Sequence, residues 1–130
     1  MQDLIDAALA VRERAYVPYS KFKVGAAFRC DDGSIVVGCN VENAAYPQGI
    51  CAEGGAMSAM IASGRQVISE VVVVGAGTMP CTPCGGCRQK LREFASPEVP
   101  VHMVDPAGEV LLTRTLAQLL PDSFGPDHLA

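Results

Sequence analysis

Apolar residues at Leu4, Ala8, Val11 and Ala15 recur at helical spacing and predict a first helix over Leu4–Tyr16. Asp3 stands where it can cap that helix, Arg12 and Arg14 lie near its far end, and Pro18 closes it. Two strand-like runs follow, KVGAAFRC and SIVVGCNV, joined by the Asp-Gly turn of DDG, and they predict a β-hairpin. ENAAYPQGI reads as a loop. CAEGGAMSAMIASG then fits a helix that starts at Cys51 and ends at Gly64, with Gly54 and Gly55 weakening its first turns. EVVVVGAG is an uninterrupted β-branched run, the pattern of a strand buried on both faces. Beyond a cysteine-rich loop, CRQKLREFA is amphipathic, VPVHMVD reads as a strand, PAG as a turn, EVLLT as a strand and TLAQLLP as a short last helix. The order α-β-β-α-β-α-β-β-α predicts an α/β fold with a mixed five-stranded sheet covered by helices.

A chain of 130 residues suits one compact domain, residues 1–130, and is short for two. Hydrophobic residues make up 49% of it and the mean hydropathy is +0.24, so part of the apolar surface is expected to lie in a subunit interface. The net charge is −4, with the ten Lys and Arg scattered rather than gathered into a stripe. That distribution argues against a surface that tracks nucleic-acid phosphates. Met1-Gln2-Asp3 has no basic segment leading into an apolar stretch, and no run approaches the roughly 18 apolar residues of a membrane span. A cytoplasmic protein without membrane contact is expected. In such a reducing compartment six cysteines are better read as thiols or metal ligands than as a disulfide frame.

The stretch MPCTPCGGCRQ spaces Cys81, Cys84 and Cys87 evenly. Cys51 opens one predicted helix, and Cys84 and Cys87 open the next. A thiol at a helix N-terminus faces unpaired N–H groups and the positive end of the dipole, which favours the thiolate that binds metal. Helices that follow strands of a βαβ arrangement start at the same sheet edge, so the three sulfurs can converge. A zinc ion with three protein ligands keeps a fourth position for water, and that open position separates catalytic from structural zinc. Glu53, two residues after Cys51, lies close enough to move a proton from such a water to a substrate nitrogen. Cys51-Ala52-Glu53 followed by PCGGC matches the three-cysteine signature of zinc-dependent base deaminases.

Over nearly its whole length the sequence resembles the short cytidine deaminases, usually homotetrameric, that act on free nucleosides. YVPYSKFKVGAA, GCNVENAAYP, CAE, TPCGGCRQ and LLPDSFGPDHL carry the resemblance. It implies a three-layer α-β-α fold with helices on both faces of the sheet and one zinc ion per chain. It implies Cys51, Cys84 and Cys87 as zinc ligands and Glu53 as the catalytic proton shuttle. Phe22 corresponds to an aromatic that packs on the pyrimidine, and Asn40 and Glu42 to the pair that holds the ribose hydroxyls. Ala52 falls among the substrate contacts, and the carbonyl of Thr82 faces the departing amine. Tyr46 and Phe124 are similar to aromatics that reach into a neighbouring subunit's site, so a homotetramer with sites near its interfaces is implied. The implied reaction is hydrolysis of cytidine or deoxycytidine to uridine or deoxyuridine and ammonia, a step of pyrimidine salvage.

A pyrimidine nucleoside needs a flat stacking face and a hydrogen-bonding clamp, which Phe22 and the Asn40–Glu42 pair would supply. A carboxylate near the sugar would repel a phosphorylated substrate, so a nucleoside is preferred to a nucleotide. Many tetrameric members have Arg directly after the catalytic Glu, and this chain has Gly54. Three thiolates on a dication leave a surplus of about one negative charge, and Arg88 is the expected donor to the sulfurs.

Other readings remain open on the residues alone. The cysteines could form a structural four-thiolate zinc site that recruits Cys81 or a strand cysteine, or could hold an iron–sulfur cluster, although the C-x-x-x-C-P continuation is missing. Cys30, Cys39 and Cys81 read as small apolar residues or spare thiols. His102 reads as a packed strand histidine, His128 as solvated, and Met57 with Met60 as core filling. Phe22 taken alone fits a core position equally well. Rival functions are a deaminase for another cytosine nucleoside, such as a blasticidin-type antibiotic, and a non-catalytic zinc-binding module.

Overall fold

The computed structural model describes residues 1–130. Its elements are α1 (Gln2–Arg12), β1 (Gly25–Cys30), β2 (Ile35–Cys39), a 3-10 turn (Tyr46–Gln48), α2 (Ala52–Ala62), β3 (Ile68–Val74), α3 (Gly85–Phe94), β4 (Pro100–Val104), β5 (Val110–Thr115) and α4 (Leu116–Leu119), with a last 3-10 turn at Pro126–His128. The five strands form one sheet in the order β2-β1-β3-β4-β5. Only β3 and β4 pair in parallel; the other neighbours are antiparallel. The predicted element order is therefore observed, and the sheet is mixed.

The β-branched run divides between two cores. Val71 and Val73 face a cluster that contains Phe28, Met60, Leu91, Met103 and Leu116, contributed by the sheet and by α2, α3 and α4. Val72 and Val74 face Leu4, Ile5 and Ala8 of α1 on the other side. Successive strand residues point to opposite faces, so a strand covered on both sides has no polar position to spare. Full burial of each such side chain contributes about 1.5–3 kcal/mol. The result is three layers, with α1 alone on one face and α2, α3 and α4 on the other. Met60 lies fully inside the larger core, and Met57 packs partly buried against it.

Helix α1 stops at Arg12, short of the expected Tyr16. Beyond it the chain is drawn into extension beside the residues after β2: the Tyr16 amide donates to the Asn40 carbonyl at 3.0 Å, and the Glu42 amide donates to the Tyr16 carbonyl at 2.8 Å. Hydrogen bonds to a distant segment thus override the helical spacing, and Pro18 does not end the helix. Asp3 also differs from expectation. Met1 is the cap residue, and Asp3 sits in the first turn, where it pairs with Arg29 at 2.6 Å. At the hairpin, Gly33 takes φ 86°, the left-handed conformation that suits glycine.

The connections place the chemistry. β2 and β3 both run antiparallel to β1, and β4 runs parallel to β3. The helices that follow β2 and β3 therefore begin at the same edge of the sheet. Helix α2 lies backbone-to-backbone on β2 at Gly38, where an added Cβ would stand 2.2 Å from the Ala56 nitrogen and 2.4 Å from the Ala52 carbonyl oxygen. No other residue fits there, and this contact sets the height of the first turn of α2.

Candidate active site

Cys51 and Cys84 occupy the N-cap positions of α2 and α3. The Cys51 sulfur accepts a hydrogen bond from the Gly54 amide at 3.3 Å, so this thiol caps its helix as an Asp or Ser would. Cys87, one turn into α3, is fully buried, and Glu53 is only 5% exposed. The ligand atoms of Cys51, Glu53 and Cys87 all lie within 4.8 Å of one another. Two helix starts therefore deliver two sulfurs and a carboxylate to one point.

Their proximity disturbs all three groups. Burial is the main cause that pushes the Glu53 carboxyl up to about 7, and the neighbouring Cys51 adds to it. The Cys87 thiol donates to the Cys51 sulfur, which brings Cys51 down to about 6, with help from the Gly54 amide and the positive charge of Lys90. The same hydrogen bond holds Cys87 well above the ordinary thiol range, with burial and Glu53 acting in the same direction. Cys51 is thus the thiol that ionises more readily and Cys87 the one that holds its proton. A divalent cation bound there would displace protons and relieve the repulsion.

This cluster forms the floor of a cavity of about 620 Å³. Asn40, Glu42, Tyr46, Ala52 and Thr82 line it together with Cys51, Glu53, Cys84 and Cys87. One wall is the 19–24 segment, held by two side chains. The Asn40 amide nitrogen donates to the Phe22 carbonyl at 2.8 Å, and its oxygen accepts from the Val24 amide at 2.9 Å. One Glu42 oxygen accepts from the amides of Tyr19 and Ser20 at 3.0 and 3.1 Å. The Ser20 contacts, with the nearby Lys21, keep that carboxyl below its usual range. On the opposite wall Cys81 packs against Gly75, where an added Cβ would stand 2.4 Å from the Cys81 Cβ. Arg12 reaches across from α1 to the Gly75 carbonyl at 2.9 Å and fixes the end of β3.

The family model for the cytidine and deoxycytidylate deaminase zinc-binding region matches residues 1–103. The chain belongs to this family. A cytidine deaminase of Sporosarcina psychrophila is 41% identical over 130 residues, covering 100% of this chain and 95% of its own. The crystal structure of cytidine deaminase from Burkholderia pseudomallei superposes with a TM-score of 0.87 at 44% identity, over 94% of this chain and 97% of that one. That of cytidine deaminase from Mycobacterium tuberculosis gives a TM-score of 0.83 at 38% identity, covering 95% of each chain. The three-layer fold read from the sequence is that of these deaminases. Zinc is the cofactor of the matched region, and the donor set suits it, because zinc accepts thiolate and carboxylate ligands.

The other expected site residues stand as follows. Cys84 is exposed and lies beside Cys87, whose proton it helps to hold, but outside the 4.8 Å group; its thiol makes no capping bond. Phe22 is 42% exposed and its ring tip lies over Gly75 rather than in the cavity lining. Phe124 is also outside the lining and stacks on His128 with ring centroids 4.8 Å apart. Arg88 requires a correction. Its Nε donates to the Pro83 carbonyl at 2.7 Å and its Nη1 to the Leu119 carbonyl at 2.8 Å, so the guanidinium ties the cysteine loop to α4 instead of donating to the sulfurs. Two unpaired carbonyls at chain turns outcompete a thiol as acceptors.

Sequence reasoning passed over Lys90, whose positive charge helps to lower Cys51 and only partly opposes the rise of Glu53. Its position three residues after Cys87 and four after Gly86 was the available signal, because such neighbours share a helix face. The packed histidine is His102, bonded to Thr113 and Glu70 at 2.9 Å each.

Proposed function

We propose that this chain hydrolyses free cytidine and deoxycytidine to the uracil nucleosides and ammonia, with residues 1–130 acting as one catalytic domain. The observation that carries the reading is the buried Glu53 carboxyl, near neutrality, between the Cys51 and Cys87 sulfurs at the floor of a nucleoside-sized cavity. Cys51, Cys84 and Cys87 would hold the zinc, and the uncapped Cys84 thiol next to Cys87 is the third ligand in this assignment. Bound zinc supplies Lewis acidity that makes water nucleophilic near neutral pH.

Glu53 then moves the protons. It takes one from the attacking water and delivers it to ring N3, then takes the second from the new C4 hydroxyl and hands it to the exocyclic amine, so that the C4 carbonyl forms as ammonia departs. Burial favours the protonated form of this carboxyl, which lets it hold a proton between the two transfers. The Thr82 carbonyl, at the cavity wall, faces the departing amine. Ala52 lines the cavity beside the ring, and Phe22 stacks on the pyrimidine once substrate draws its loop inward.

Asn40 and Glu42 serve the ribose end. Asn40 spends one amide hydrogen on Phe22 and keeps the second, and Glu42 uses one oxygen for the loop and keeps the other. Each thus orders the wall and still offers a partner to a hydroxyl. A charged Glu42 also disfavours a 5′-phosphate, so the substrate is a nucleoside rather than a nucleotide.

Tyr46, 77% exposed, and Phe124, 56% exposed, support a homotetramer in which each reaches a neighbour's site. No helix is long and apolar enough to cross a membrane, in keeping with a cytoplasmic salvage enzyme. The deciding experiment combines metal analysis with an ultraviolet assay of cytidine loss. Zinc-containing protein is expected to yield uridine and ammonia in equal amounts, and zinc-containing protein that leaves cytidine intact would overturn the reading.

A further inference from the structure

Charge balance at the metal site is incomplete without a group outside the donor set. Two thiolates and a carboxylate on a dication, or three thiolates, each leave a net charge of −1. The expected donor, Arg88, is committed to the Pro83 and Leu119 carbonyls. The residue after Glu53 cannot help, because Gly54 has no side chain, and a Cβ there would already stand 3.2 Å from the Cys51 sulfur.

Helix α3 presents another cation. Lys90 lies one turn after Gly86 and Cys87, and side chains on a helix lean toward its N-terminus, which here is the turn that carries Cys84 and Cys87. A Cβ placed on Gly86 would be 4.0 Å from the Lys90 Nζ and 4.0 Å from the Cys84 sulfur, so ammonium and thiol flank one point and lie at most twice that distance apart. Because residue 86 is glycine, no side chain stands between them. Of the lysines and arginines, Arg12, Lys23, Arg29, Arg65 and Arg92 pair with carboxylate side chains. Lys90 is in none of these pairs and is exposed.

We propose that the Lys90 ammonium is the cation that offsets the surplus negative charge of the metal site. The inference rests on the zinc reading above. Lys90 touches neither metal nor substrate and acts through the sulfurs: it favours the thiolate–zinc complex over protonated thiols and keeps electron density on the metal low.

The test is a charge series, Lys90→Arg, Lys90→Met and Lys90→Glu, read by competition for zinc against a chromophoric chelator at fixed pH. Lys90→Met is expected to weaken zinc binding about two- to sixfold, the effect of unit charges about 8 Å apart in a medium between water and half its dielectric constant. Lys90→Glu should weaken it further, Lys90→Arg should hold zinc like the wild type, and the gap between wild type and Lys90→Met should narrow in high salt. Wild-type affinity in both Lys90→Met and Lys90→Glu at low salt, or equal losses in Lys90→Arg and Lys90→Met, would overturn the inference. If the wild type binds zinc and deaminates cytidine while the series stays flat, only this inference fails; if the wild type binds no zinc, the parent reading fails with it.

Discussion

Arg88 grips the carbonyl of Pro83 at 2.7 Å from a position one residue beyond Cys87. The loop that carries Cys81, Thr82 and Cys84 is therefore closed by a side chain from the helix it leads into. The second arm of the guanidinium, on Leu119, anchors that clamp to α4.

Arg88→Ala removes two hydrogen bonds from a charged donor to part-buried carbonyls and is expected to cost about 1.5–3 kcal/mol per bond at most. Zinc content should fall together with turnover, because the loop that presents Cys84 loosens. Denaturant melts and metal analysis on the same preparations check this. Normal zinc content with reduced turnover alone would instead return Arg88 to an electrostatic role.

Glu53→Gln keeps the size of the side chain and removes its ability to carry protons. Turnover should drop by about 10²–10⁴-fold, the usual worth of a positioned general acid–base group, with zinc retained. Because the Glu53 carboxylate stands within 4.8 Å of both sulfurs, metal analysis separates two roles: zinc lost in the variant would make the residue a ligand rather than a shuttle.

Asn40→Ala strands the Val24 amide and the Phe22 carbonyl. The part-buried Val24 amide left without a partner costs about 1–3 kcal/mol, whereas the exposed Phe22 carbonyl turns to solvent. The wall that carries Phe22 should loosen, raising KM for cytidine more than it lowers kcat. Steady-state kinetics beside a thermal melt distinguish this from general unfolding, which would reduce active protein without moving KM.

Asp32 gives a pH dependence remote from the site. Its carboxylate accepts from the hydroxyl and amide of Ser34 and pairs with Arg65 at 2.9 Å, and these contacts lower it from 3.8 to about 2. A carboxyl depressed in the folded state binds fewer protons there than when unfolded, so its contribution is present above about 3.8 and is lost as pH falls toward 2. The stability gap between wild type and Asp32→Asn should therefore be largest near neutrality and close over that window. A gap that stays constant from pH 5 to pH 2 would refute the assignment.

Much of the fold was legible because it rests on local patterns. Val71–Val74 could only suit a strand covered on both faces, DDG could only turn a hairpin, and Gly64 marked the end of α2. The metal chemistry was legible for the same reason. Cys51, Glu53, Cys84 and Cys87 lie within two short motifs, and backbone geometry alone places them at helix starts. Where the sequence misled, a distant partner had intervened. Tyr16 left its helix for the residues after β2, and Arg88 turned from the sulfurs to the Leu119 carbonyl.

The amino-acid order by itself determined the element sequence, the two helix-start cysteine motifs and the carboxyl between them, because hydrophobic period, turn chemistry and capping act over a few residues. Only the tertiary structure decided which groups meet. It joined Cys51 to Cys87 across 36 residues of chain and spent Arg88 on the Pro83 and Leu119 carbonyls. Charge and hydrogen bonding depend on distances between elements, and those are set when both cores close on the sheet.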